Sequence, residues 1–132
     1  MEAALHPSQA MTVRVLIADD EPLFVEMVEA LLAGDDRIEV VGTAGNGKEA
    51  VDLSLSLAPD VTLMDISMPG VDGIEASRQI RAHHPHACIL ILTGSSISAD
   101  VDRSRQAGAA GFLTKDRIAT HLVERILDLG AR

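Results

Sequence analysis

Five short apolar runs, each followed by a stretch with helical spacing, leave this chain few architectures to choose from. The runs are Val13–Ala18, Ile38–Val41, Val61–Met64, Cys88–Leu92 and Gly111–Thr114. Near-continuous apolar runs of this length read as strands covered on both faces. Between them, Phe24, Met27, Val28, Leu31 and Leu32 form a helical stripe, with Pro22 suited to its first turn and Gly34 to its stop. Ala50, Val51, Ser54 and Leu55 form a second stripe, ended before Pro59, and Ile74, Ser77 and Ile80 a third, ended before Pro85. Ile118, Leu122, Ile126 and Leu129 form the last. Ser98–Gly108 has only Val101 and Ala107 as main apolar anchors, which predicts a loosely held helix. Strict alternation implies βαβ units, right-handed crossovers and helices on both faces of a parallel sheet, an α/β doubly wound domain with five strands and five helices.

At 132 residues, 47% of them hydrophobic, the chain can form one domain with a sizeable core. The net charge of −9 disfavours direct binding to nucleic acid or to acidic membranes. No apolar window reaches the length of a membrane-spanning helix. Residues 1–12 carry no basic run, do not read as a secretory signal, and are expected to be a flexible leader to a domain over 13–132. The single cysteine, Cys88, excludes an internal disulfide and is expected to be buried and inert. The expected location is the cytoplasm.

In open α/β sheets, ligands bind at the carboxyl ends of the strands. Here the first strand ends in Asp19-Asp20-Glu21, the third in Asp65, the fourth in Thr93 and the fifth in Lys115 followed by Asp116. Carboxylates held together raise one another's proton affinity, and a divalent cation relieves the repulsion. Magnesium suits one or two carboxylates, such as Asp20 and Asp65, with Asp19 acting through water. A carboxylate is also a nucleophile towards phosphorus, while a lysine and a metal neutralise charge on the transferring group. Each residue alone has an ordinary role, as a helix cap, a turn former or a surface charge. Their coincidence at four strand ends points to a phosphoryl-transfer site.

The segments VRVLIADDEP, VTLMDISMPGVDGIEA, ILILTG and GAAGFLTKD, in that order, resemble the receiver domains of two-component response regulators (CheY-like) from about Val13 to Leu129. The resemblance implies a flavodoxin-like sheet of order 2-1-3-4-5. It implies that Asp65 is the phosphoacceptor, and that Asp19, Asp20, Asp65 and the backbone carbonyl of Ser67 hold Mg2+. Thr93 matches the switch hydroxyl, Phe112 the switch aromatic and Lys115 the family's lysine, so that Asp65, Lys115 and Thr93 carry the chemistry. The implied partner is a sensor histidine kinase or a phosphotransfer protein, with homodimerisation on phosphorylation. The implied output surface is made by helix 4, strand 5 and helix 5. Such a domain catalyses its own phosphorylation and dephosphorylation but turns over no separate product pool, so it is not an enzyme in the ordinary sense. The Lys115-Asp116 pair resembles the NarL/LuxR-type subfamily, whose members add a DNA-binding helix-turn-helix. Whether this receiver stands alone or belongs to a longer transcriptional regulator is left open. Gly94 stands where the family usually has Ala, Phe112 lacks a tyrosine hydroxyl, and Asp116 replaces a common proline.

A different class of function competes. Gly45-Asn46-Gly47-Lys48-Glu49-Ala50 fits G-x-G-x-x-A after a strand, and Asp65 lies about 20 positions beyond Gly45, the spacing of a dinucleotide-binding fingerprint. That reading uses the second strand–helix turn, not the first, and leaves Asp19, Asp20, Thr93 and Lys115 unexplained. A P-loop is disfavoured because Glu49 stands where Ser or Thr would bind magnesium. Flavin binding is disfavoured because the chain has no Trp or Tyr. An aspartyl-phosphate phosphatase would want an acid where Ser67 stands. His83, His84 and His86 read as a loop end more than as a metal site.

Overall fold

The computed structural model describes residues 12–94 and 98–131. All of the expected leader except Thr12 therefore lies outside the described residues. The elements are β1 (Val13–Ala18), α1 (Pro22–Ala33), β2 (Ile38–Ala44), α2 (Gly47–Leu57), β3 (Val61–Asp65), α3 (Gly73–His83), β4 (Ile89–Thr93), α4 (Ser98–Gln106), β5 (Gly111–Thr114), a 3-10 turn (Lys115–Arg117) and α5 (Ile118–Gly130). The strands are all parallel in the order β2-β1-β3-β4-β5. Among the described residues no helix is long and apolar enough to cross a membrane.

Alternation along the strands divides the core into two layers. Val13, Val15, Ile17, Leu63, Leu90, Leu92 and Leu113 face Val28 and Leu32 of α1 and the Ile118, Leu122, Ile126, Leu129 stripe of α5. Ala18, Ala44, Met64, Ile89 and Ile91 face Ala50, Val51, Ile74, Ala76, Ile80 and Ala107 on the opposite side. Every residue of β3 and β4 is buried, as a strand covered on both faces requires.

The local signals act as expected at most helix ends. Pro22 opens α1, and Gly34 is its C-cap. Asn46 and Asp72 cap α2 and α3, each accepting the N–H of a glutamate three residues on, at 2.8 Å. Arg14 at the start of β1 donates to the Leu57 and Ala58 carbonyls at 2.9 Å each, satisfying the C-terminus of α2 before Pro59.

Several expectations need correction. β2 runs on to Ala44, because its register against β1 slips between Val15 and Leu16 and the strand continues through the non-apolar Gly42 and Thr43. β4 begins at Ile89, and Cys88 is half-buried against the core rather than fully enclosed. Met27 is 50% exposed. At 100° per residue it lies well round the helix from the Val28–Leu32 centre of the buried face. In α4, Val101 is half-buried and Ala107, just past its end, is buried, but Ser104 is buried as well, its hydroxyl donating to the Asp100 carbonyl at 2.7 Å.

Candidate functional site

The parallel sheet delivers Asp19, Asp65, Thr93 and Lys115 to a single edge because each follows or ends a strand of the same direction. Asp19 comes directly after β1, where its N–H bonds the Ala44 carbonyl at 2.9 Å and one carboxylate oxygen accepts the Glu21 N–H at 2.9 Å. Its other oxygen accepts from the Lys115 ammonium at 2.9 Å. The same ammonium lies 3.3 Å from Asp65 Oδ1 and 3.6 Å from Glu21 Oε1. Asp19 and Asp65 are buried, Lys115 is largely shielded, and Asp20 is exposed.

Carboxylate oxygens of Asp19, Asp20 and Asp65 all lie within 4.8 Å of one another. Three negative charges thus face one ammonium. Burial, followed by repulsion from Asp19, pushes the Asp65 carboxyl up from its ordinary 3.8 to about 6, against the pull of Lys115. Burial alone would weaken the Lys115 ammonium, but the hydrogen bond to Asp19 and the charge of Asp65 outweigh it and hold the proton more firmly. A compact cluster of hard oxygen donors with uncompensated negative charge fits a divalent cation such as magnesium. Among the described residues no other cluster of histidine, cysteine, aspartate and glutamate side chains could hold a metal, so His83, His84 and His86 do not form one.

Thr93 is buried at the end of β4 and is paired in register with Thr114 of β5. Phe112 is half-buried on β5 opposite Ile91 and packs against the α2–α3–α4 layer of the core. Ser67, two residues after Asp65, is exposed. A Cβ added at Gly94 would meet nothing within 4 Å.

The dinucleotide-binding alternative is not supported. Gly45 and Gly47 shape a capped turn: the Gly45 N–H donates to Glu49 Oε1 at 2.7 Å while Asn46 accepts from the Glu49 N–H. The turn thus satisfies its own helix N-terminus, as in a capping box. Gly47 is buried against the backbone of Val71, and Asp65 is engaged with Lys115 at the β3 end.

Two participants were not singled out from sequence. Phe24 places its ring 4.0 Å from the Lys115 ammonium, and Glu21 contributes a further carboxylate to that lysine. The signal available was position: both fall within six residues of the end of β1, Glu21 before α1 and Phe24 in its first turn.

Comparison with known proteins agrees with the geometry. Residues 15–127 match the family described as the response regulator receiver domain. The transcriptional regulatory protein NarL of Mycobacterium tuberculosis is 38% identical over 120 residues, covering 91% of this chain and 56% of that protein. A protein-glutamate methylesterase/protein-glutamine glutaminase of Shewanella denitrificans is 41% identical over 133 aligned residues, 92% of this chain and 34% of that protein. The chain therefore spans about half the length of the first relative and a third of the second. The solved signal receiver domain of NarL from Mycobacterium tuberculosis superimposes with a TM-score of 0.87 at 38% identity, covering 91% of this chain and 97% of that one. The chain belongs to the response-regulator receiver domain family and is of the NarL/LuxR type.

Proposed function

We propose that Asp65 accepts a phosphoryl group in a magnesium-dependent reaction and that the modified site switches an output surface on α4, β5 and α5. The observation that carries this reading is the near-buried Asp65 carboxylate sharing the Lys115 ammonium with Asp19 at the sheet edge. An Asp65 oxygen forms the new bond to phosphorus as the donor's bond breaks, and the donor's leaving atom keeps that electron pair. For a histidine kinase or a phosphotransfer protein the broken bond is P–N. Lys115 donates to a phosphoryl oxygen, and the Thr93 hydroxyl closes on another once it has arrived. Asp19, Asp20, Asp65 and the Ser67 carbonyl would hold the magnesium ion, which when bound supplies positive charge between carboxylates and phosphoryl oxygens.

Phosphorylation adds close to two negative charges. Movement of Thr93 towards them vacates space that Phe112 fills, and α4 then shifts against β5. The receiver unit spans residues 13–132. It acts as a phosphoacceptor switch in the cytoplasm rather than as an enzyme on a separate substrate. It serves the receiver part of a transcriptional regulator and dimerises when phosphorylated.

Intact-mass measurement with magnesium and a small acyl phosphate tests the acceptor. One phosphoryl group is expected on the wild type and none on Asp65→Asn. A folded wild type that gains nothing refutes the reading. A Thr93→Ala variant that keeps the whole phosphorylation-dependent structural change refutes the coupling.

A further inference from the structure

The chain has no Trp or Tyr, and one of its two phenylalanines, Phe24, lies with its ring under the ammonium of the phosphoryl-transfer site. We propose that Phe24 is a positioning residue: its ring face seats Lys115 so that an N–H remains available to a phosphoryl oxygen. The inference rests on the reading of Asp65 as acceptor.

Lysine carries three N–H donors on a flexible four-carbon stem. Asp19 takes one of them at 2.9 Å, while Asp65 at 3.3 Å and Glu21 at 3.6 Å pair with the ammonium as ions. Asp19 is the nearer acceptor, so a lysine steered by carboxylates alone would be drawn towards Asp19 and away from the reacting oxygen. A ring face attracts the cation through its quadrupole and occupies no donor. At 4.0 Å the Phe24 ring lies well within the range of that attraction. The Lys115 side chain as a whole is only 20% exposed.

The ring's own placement is secure. Phe24 sits in the first turn of α1, half-buried and packed on the layer of core that includes Val28 and Leu32. Its neighbours Leu23 and Met27 point away into solvent. A residue needed only to fill that core could be any large apolar side chain. A flat π face turned to a buried-site cation is what only an aromatic residue provides.

The test uses the full chain, with Phe24→Leu to keep the apolar packing and Phe24→Tyr to keep the π face. NMR of the Lys115 side chain is expected to show its ε-methylene protons shifted upfield by the ring in wild type and Phe24→Tyr, and at ordinary positions in Phe24→Leu. Phosphoryl uptake from acetyl phosphate with saturating magnesium is expected to slow on the order of fivefold in Phe24→Leu, the rate equivalent of a partly shielded cation–π contact, and to be restored in Phe24→Tyr. Uptake at the wild-type rate in a folded Phe24→Leu overturns the proposal, as do unshifted Lys115 protons in the wild type, a readout that needs no variant to fold. A wild type that takes up no phosphoryl group refutes the acceptor reading instead, and the seat then stands or falls on the ring-current shift.

Discussion

Replacing Asp65 with asparagine should make the domain more stable at neutral pH although it abolishes the proposed chemistry. Asp65 is held in the folded state with its carboxyl raised from 3.8 to about 6, first by burial and then by Asp19. The folded protein therefore binds that proton more tightly than the unfolded chain between these two values. For an acid shifted upward, stability falls as pH rises through this window, and the whole penalty is present above about pH 6. A shift of this size, at about 1.36 kcal/mol per unit, amounts to about 2–3 kcal/mol. Asparagine mimics the neutral carboxyl, while Lys115 keeps Asp19 as its 2.9 Å partner. Urea denaturation with a chelator present should move the midpoint of Asp65→Asn upward by about 1 M or more at about pH 7.5, given the usual dependence of stability on urea. The two proteins should converge below about pH 3, where wild-type Asp65 is protonated in both states. An equal or lower midpoint for the variant at neutral pH would show that Asp65 is not under repulsive charge, and the account of the site's electrostatics would fail.

Magnesium should raise the melting temperature of the wild type and raise that of Asp65→Asn or Asp20→Asn much less, which thermal scans with and without the ion will read. A Cβ at Gly73 would lie 1.9 Å from the Asp65 carbonyl oxygen, so Gly73→Ala should lower stability by more than about 2 kcal/mol in chemical denaturation. Gly94→Ala, with open space around the added carbon, should be neutral or raise stability by about 0.4–1 kcal/mol in the same measurement. Leu122→Ala, in the fully buried stripe of α5, should cost about 2–5 kcal/mol.

The strand ends were legible because a parallel sheet turns one-dimensional order into one edge: whatever follows an apolar run lands there. Asp19, Asp65, Thr93 and Lys115 come together for that reason alone, before any side chain is placed. The α5 stripe was equally plain, since Ile118, Leu122, Ile126 and Leu129 keep helical spacing and all four are buried. What escaped was set by packing and by side-chain bonds that a hydropathy pattern does not encode. Met27 fits an apolar stripe, yet the sheet meets α1 further round its surface. Ser104 reads as a polar surface residue, but a bond to its own helix lets it be buried. Phe24 reads as core, and its second role depends on a lysine 91 positions away that only the closed sheet brings to it. The glycines near residue 45 imitate a phosphate loop until the Asn46–Glu49 cap is seen to occupy the helix end.

Gly47 and Gly73 have a mechanical consequence for how a signal can leave the site. At Gly47 an added carbon would lie 2.0 Å from the Val71 carbonyl oxygen, and at Gly73 it would strike the Asp65 backbone. The β3–α3 connection is thus wedged, backbone against backbone, between the starts of α2 and α3. A wall without side-chain padding has no slack to take up, so that side behaves as an anvil. On the opposite wall, a carbon added at Gly94 would meet nothing within 4 Å among the described residues. Charge added at Asp65 would push on both walls, and displacement would go to the one that can yield. On the proposed reading of Asp65 as acceptor, two missing methyl groups on its far side would direct transmission towards α4 and β5.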